Sequence, residues 1–287
     1  MSTQTMTQNA TPELRQWIVE QARAGHAPEA VLKSMLQAGW LEDVAIATLE
    51  ATLETHLAEV QRAAALPAAS PVPEPDVAGS PAVVRALDRD VQVLLQMHDP
   101  RVLVFGGLLS HEECDALVAL AQPRLARSET VQHETGGSEV NEARTSAGMF
   151  FARGETELVE RIEQRISALL HWPVENGEGV QVLHYGPGAE YKPHYDYFDP
   201  AQPGAPSILR RGGQRVGTLV MYLNTPEAGG ATVFPDVRLE VAPVKGHAVF
   251  FSYDRAHPVS RSLHGGAPVI AGEKWVATKW MRERRFD

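Results

Sequence analysis

The sequence predicts a mainly β protein with flanking helices (α+β), preceded by a small helical unit. Three observations lead there. From Gly179 onward, short apolar runs alternate with Gly and Pro, the punctuation of an antiparallel sandwich or barrel. Over residues 12–62, apolar residues recur at helical spacing instead. Between the two lies AAALPAASPVPEPDVAGSP (63–81), Ala/Pro-rich and without periodicity, which cannot build a core of its own and reads as a semi-extended linker.

In chain order, residues 1–11 are polar and expected to be disordered. Leu14, Trp17 and Ile18 share one helical face; Val31, Leu32, Met35 and Leu36 share a second; Val44, Ile46, Leu49 and Leu53 fit a third. Gly25 and Gly39 interrupt the run and Pro28 suits a first helical turn, so residues 12–62 form a three-helix unit. Its Gly39-Trp40, with Asp43 and Ala45 following, resembles ubiquitin-associated helical modules. Two roles stay open for it: docking a protein substrate, or serving as a stabilising or dimerising appendage. Residues 63–81 mark the domain boundary, and 82–287 form the larger domain.

Within that domain, Val102-Leu103-Val104-Phe105 reads as a short strand, and Ser110-x-x-Glu113 as a capping box opening a helix through Leu120. Residues 132–142 are polar and Gly-containing, a loop by composition. Leu158, Val159, Ile162, Ile166, Leu169 and Leu170 repeat at helical spacing, a second helix ending near Trp172-Pro173. Strands follow over 180–185, 190–197, 216–223, 231–234, 237–242, 247–252 and 273–282. The Pro/Gly/Arg-rich loop over 199–214 is too long for a hairpin turn and is expected to be a lid facing the substrate.

Composition narrows the function. A chain of 287 residues has room for one large domain and a small appendage. A net charge of −10 argues against a sequence-independent nucleic-acid surface. The one cysteine, Cys114, excludes an internal disulfide and fits a reducing compartment. No secretory signal is visible, and no apolar run approaches the ~20 residues of a membrane span, so a cytoplasmic location is expected.

Two stretches carry the chemistry. In EYKPHYDYF (190–198), His194 and Asp196 lie two apart on an expected strand and so share a face. An imidazole beside a carboxylate is two thirds of the 2-His-1-carboxylate triad that holds non-haem Fe(II) and leaves coordination positions open. Alone, His-x-Asp is common at strand ends, where both groups are simply solvated. SLHGG (262–266) supplies a second histidine, His264, whose bland alternative is a loop histidine and whose nearest rival is His257. Further on, Lys274 opens an alternating run with Thr278 and Trp280 on its face. It is either a snorkelling surface lysine or the counter-charge of an anion held inside.

HYGPGAEYKPHYDYF, GGQRVGTLVMYLN, EAGGATVFP, GHAVFFSY and SLHGGAPVIAGEKWVATKW, with ARTSAGMFF (143–151) upstream, resemble the catalytic core of the prolyl 4-hydroxylases, within the Fe(II)/2-oxoglutarate dioxygenases. The resemblance spans about residues 100–285. It implies a double-stranded β-helix (jelly roll) core flanked by helices. His194, Asp196 and His264 would be the iron ligands, and Lys274 would pair with the distal carboxylate of 2-oxoglutarate. Tyr185 and Thr218 would donate hydroxyls to that cosubstrate, with Trp280 lining its pocket. Arg215 and Tyr191 match positions that face the peptide substrate; the bland alternative for Arg215 is a surface cation at a strand end. O2 completes the reaction, and ascorbate would restore oxidised iron. The implied activity is 4-hydroxylation of proline in a peptide or protein, with succinate and CO2 as coproducts. One position departs from the pattern, since Arg282 stands where the family often has histidine.

Other readings stay open at this level. The same iron chemistry could serve a free amino acid or small metabolite. A jelly roll that only binds peptides would be expected to lose a ligand, and here the triad is complete. A zinc hydrolase could use the two histidines and the aspartate, but it leaves Lys274 without a role.

Overall fold

The computed structural model describes residues 8, 10–63, 66–127, 130–131, 138–139 and 145–287. The chain divides into two units, Met1–Pro67 and Ala68–Asp287. The first holds α1 (Pro12–Arg23), α2 (Pro28–Gln37) and α3 (Glu42–Ala63). Thr11 caps α1 by accepting from the Leu14 N–H, with Pro12 in the first turn. Gly25 and Gly39 take φ values of +83° and +88° where the helices turn, a region open to glycine. Ile18, Val31, Met35, Ala45 and Leu49 meet in one small core. The disorder expected over residues 1–11 falls mostly outside the described residues.

The second unit opens with β1 (Val83–Ala86), β2 (Arg89–Met97), β3 (Arg101–Gly106), α4 (His111–Ala121) and β4 (Ala126–Arg127). Then come β5 (Thr130–Val131), β6 (Ser138–Glu139), β7 (Ala147–Phe151), α5 (Glu157–Leu170), β8 (Val180–Tyr185) and β9 (Tyr191–His194). After α6 (Ala205–Arg210) the chain continues through β10 (Arg215–Tyr222), β11 (Ala228–Gly229), β12 (Thr232–Phe234) and β13 (Leu239–Val241). It ends with β14 (Ala248–Ser252), β15 (His264–Gly266), β16 (Val269–Ala271) and β17 (Lys274–Arg282). A nine-stranded sheet runs β1-β2-β3-β14-β10-β17-β8-β7-β4, and a four-stranded sheet runs β13-β12-β15-β9. These are the two sheets of a jelly roll, with helices against the larger one.

The large sheet is covered on both faces, so its central strands β8, β10, β14 and β17 are buried at nearly every position. On β14, Ala248 and Phe250 share a core with Leu117 of α4 and Ile162 and Ile166 of α5. Val249 and Phe251 point the other way, into a second core with Phe234 and Val241 of the small sheet. β17 alternates likewise: Trp275, Ala277 and Met281 join the helical side, while Lys274, Val276, Thr278 and Trp280 face a cavity between the sheets. α4 begins with a capping box in which the Ser110 hydroxyl accepts from the Glu113 N–H and the Glu113 carboxylate from the Ser110 N–H. Arg165 of α5 is 1% exposed and hydrogen-bonds both Asp88 and Glu113, tying the two helices to the β1–β2 turn.

Several expectations change. The division falls inside the 63–81 stretch expected to be the linker, after Pro67, so the larger unit starts earlier than residue 82. Beyond it the Ser70 N–H donates to Asp254 O, the Glu74 N–H donates to Leu170 O, and Val77 is buried in the main core. Pro73 packs so closely on Gly217 that a Cβ there would meet its Cγ at 2.7 Å. A Pro/Val stretch without periodicity builds no core of its own, yet its rings and branched side chains can lie on a core built by others. The strand expected over 190–197 ends at His194, and Asp196 lies in the bend beyond it. The loop over 199–214 contains α6, and none of its residues lines the cavity. The loop expected over 132–142 lies, apart from β6, outside the described residues. No described helix is long and apolar enough to cross a membrane.

Candidate active site

Strands β9 and β15 are neighbours, and their register sets His194 opposite His264. Asp196 folds back between them, with His194 Nε2 3.4 Å from its Oδ1 and His264 Nε2 3.4 Å from its Oδ2. One ligand atom from each lies within 4.8 Å of the others, the one such group of three among the described residues. Each imidazole is aimed by its own backbone: His194 Nδ1 lies 2.9 Å from Lys192 O, and His264 Nδ1 3.0 Å from Ser262 O. A carbonyl oxygen only accepts, so each Nδ1 carries the proton and each Nε2 turns a lone pair inward. Burial, outweighing the attraction of Asp196, pushes His264 down to about 4 and keeps it neutral. Burial works against an ionised Asp196, but the two imidazoles and Arg215 hold it well below the usual carboxylate range. A neutral His264 and an ionised Asp196 are in the protonation states a metal requires, and with His194 the donor set fits a divalent ion such as Fe(II).

Behind the carboxylate stand two hydroxyls. Thr218 of β10 donates to Asp196 Oδ2 at 2.7 Å, and its oxygen lies 2.9 Å from the Tyr253 hydroxyl. A threonine has one proton to give; with that spent on Asp196, Thr218 accepts from Tyr253. The resemblance assigned this hydroxyl to the cosubstrate; Thr218 lines the cavity, and its hydroxyl donates to the Asp196 carboxylate.

Lys274, the first residue of β17, stands opposite Tyr185 of β8. Its ammonium lies 5.6 Å from the Tyr185 ring centre and 6.0 Å from that of Tyr222. It is 5% exposed, no carboxylate pairs with it among the described residues, and desolvation pushes its pKa down to about 8. A buried ammonium without a counter-charge is costly. The cavity it faces also holds the triad, Tyr185 and Trp280. One end of that cavity therefore suits a metal and the other an anion.

Tyr191 lies flat on His194, ring centres 3.8 Å apart, and lines the same cavity. Arg215 does not line it. Its guanidinium holds both oxygens of Glu178, at 2.6 and 2.9 Å, and stacks 4.0 Å over Trp280, so it is not the surface cation of the bland alternative. Arg282 is buried as well, its Nη1 3.5 Å from the Glu178 Oε1 that Arg215 holds. Of the other histidines, His184 pairs with Glu273 at 2.8 Å and His257 accepts from the Val259 N–H. Sequence reasoning missed Tyr253 and Glu178. GHAVFFSY contains the tyrosine, but only the pairing of β14 with β10 carries its hydroxyl to Thr218.

A sequence model of the 2OG-Fe(II) oxygenase superfamily matches residues 180–282. The chain is 43% identical to Prolyl 4-hydroxylase 5 of Arabidopsis thaliana over 210 residues, covering 66% of this chain and 70% of that protein. It is likewise 43% identical to Prolyl 4-hydroxylase 1 of the same plant over 202 residues, 64% of this chain and 70% of that protein. Among solved structures, it matches a viral collagen prolyl hydroxylase from Paramecium Bursaria Chlorella virus-1 at 32% identity and a TM-score of 0.48, over 63% of this chain and 95% of that one.

Proposed function

The chain belongs to the prolyl 4-hydroxylase family of the 2OG-Fe(II) oxygenases, and from that premise we propose that it hydroxylates C4 of proline residues within a peptide or protein. It is a 2-oxoglutarate-dependent dioxygenase that uses Fe(II), 2-oxoglutarate and O2. His194, Asp196 and His264 would hold the iron. Bound Fe(II) supplies the oxidation: O2 decarboxylates 2-oxoglutarate to succinate and CO2, one oxygen atom entering succinate and the other the C–H bond of the substrate.

The chain's own residues bind and orient. Lys274 anchors the distal carboxylate of 2-oxoglutarate, and desolvation makes that pairing stronger than it would be in water. Tyr185, opposite Lys274, walls that end of the cavity, and Trp280, opposite Thr218 on β10, walls the part nearer Asp196. Thr218, with Tyr253 behind it, fixes the carboxylate of Asp196. Tyr191, stacked on His194, offers an aromatic edge to the proline ring, and Arg215 keeps Trp280 in place rather than reaching the substrate. Ascorbate would return iron oxidised in turnovers without substrate to the ferrous state.

The observation that carries this reading is the pairing of the triad with an uncompensated, buried Lys274 in one cavity. The test is succinate formation by Fe(II)-loaded protein without substrate, with free proline, and with proline-containing peptides. Peptides should stimulate it and His264→Ala should abolish it. Stimulation by free proline alone would replace the polypeptide substrate with a small metabolite.

A further inference from the structure

Thr218 and Tyr253 hold Asp196, and both are themselves held from outside by the stretch that follows Pro67. Thr218 faces the cavity. Gly217 before it faces the helical side of the sheet, where a Cβ would stand 3.4 Å from both Phe250 Cε2 and Met281 Cε. Pro73 lies on that spot, so near that the same Cβ would meet its Cγ at 2.7 Å. A glycine inside a strand marks such a close approach. Pro73 is thus seated directly behind Thr218, on the opposite face of β10.

The same stretch reaches Tyr253. The Ser70 N–H donates at 2.7 Å to Asp254 O, the carbonyl just beyond Tyr253, and the Tyr253 N–H donates at 3.1 Å to Val216 O of β10. Val72 lines one groove with Ser252, Tyr253 and Asp254. Further along, Glu74 is fixed twice. Its N–H donates to Leu170 O at 3.0 Å, at the end of α5, and its carboxylate accepts from Nε of Arg101 on β3 at 2.9 Å. Residues 70–74 therefore form a strap, pinned at Glu74 and laid beside the start of β10 and the end of β14, where the two hydroxyls originate. Neither Ser70 nor Pro73 lines the cavity.

We infer that this strap is a positioning element for the metal-binding carboxylate. Pro73 sets the place of Gly217 and Ser70 that of Asp254, and the hydroxyls of Thr218 and Tyr253 stay 2.9 Å apart because both strand ends are fixed. The 2.7 Å hydrogen bond from Thr218 to Asp196 depends on that fixing, since such bonds weaken steeply with misalignment. Asp196 lies past the end of β9, in a bend rather than a ladder, and so relies on this support from β10. A loosened strap thus lowers the affinity for metal and leaves the Lys274 end of the cavity alone. The inference rests on the triad holding a divalent ion, and its test separates the strap from that premise.

Pro73→Ala removes the ring carbons over Gly217. Co(II) affinity, titrated through the visible absorption of the bound ion, should fall about fivefold, and amide hydrogen exchange over residues 216–219 and 252–254 should quicken about tenfold. The KM for 2-oxoglutarate should stay within about twofold. Val77→Ala, a truncation on the same core a few residues on, should lower the melting temperature at least as much yet leave Co(II) affinity within about twofold. Gly217→Ala drives a methyl against Pro73 Cγ and should weaken Co(II) binding about tenfold. Pro73→Ala makes room for that methyl, so the double variant should bind no more weakly than Pro73→Ala alone. Unchanged Co(II) affinity in Pro73→Ala would overturn the inference. So would equal losses of affinity in Pro73→Ala and Val77→Ala, or losses that add in the double variant, which would put the cause in β10 itself. If the parent binds no Co(II), the metal premise fails, and unchanged exchange in Pro73→Ala would independently reject the strap as the fastening.

Discussion

Lys274 and Tyr253 act on opposite ends of the cavity, and each makes a separable prediction. Lys274→Met removes one partner of a buried charge pair, so the KM for 2-oxoglutarate should rise at least about thirtyfold, while metal affinity is retained. The pH dependence follows from the sign of its shift. With a value of about 8 before the anion binds, the ammonium loses its proton above that pH. The KM for 2-oxoglutarate should thus be flat below about pH 8 and rise above it. The same shift bears on stability: between about 8 and 10.5 the unfolded chain binds a proton that folded Lys274 does not, so the protein without 2-oxoglutarate gains stability as the pH rises through that window. Tyr253→Phe deletes one oxygen and leaves Thr218 without its donor. Co(II) or Fe(II) affinity, titrated directly, should fall about 10- to 100-fold with little change in melting temperature. An unchanged affinity would mean that Thr218 holds Asp196 unaided.

The elements differ in how far local pattern determines them. The capping box of α4 and the periodic apolar face of α5 are legible because they depend on neighbours three and four residues away. So is β17, whose alternation separates Lys274, Thr278 and Trp280 from Trp275 and Ala277. By contrast β1 and β2, at the sheet's outer edge, are half-exposed and interspersed with charge, and α6 is a short helix inside a Gly/Pro/Arg-rich loop. His194 and Asp196 converge as their spacing suggested, but through a bend after β9 and not through strand alternation. Arg165 shows what a fully matched buried charge does, its guanidinium being held by Asp88 and Glu113. Arg165→Ala should cost about 3–5 kcal/mol in urea unfolding by stranding a buried carboxylate and parting α5 from α4 and the β1–β2 turn. The 2-oxoglutarate KM of the protein that remains folded should be unaltered.

On the scale of the whole molecule, the division after Pro67 predicts what can be cut. A chain beginning at Ala68 should fold and turn over 2-oxoglutarate like the full protein. A chain beginning at residue 82 loses Val72, Pro73 and Val77 from the main core together with the Glu74–Leu170 hydrogen bond, and should be about 2–4 kcal/mol less stable. Equal stability of the two would return the boundary to the composition-based position. The sequence by itself determined the chemistry: residue types that bind iron, a lysine for an anion, and alternating and helical patterns that call for sheets with helices against them. These are properties of single side chains or of near neighbours. Only the tertiary structure decided which groups hold which. It joined Tyr253 and Thr218 to Asp196, gave Arg215 and Arg282 one glutamate, and laid residues 70–77 on the core. Each of those pairings joins residues remote in sequence, so it depends on the register of strands and the stacking of two sheets, which no local pattern encodes.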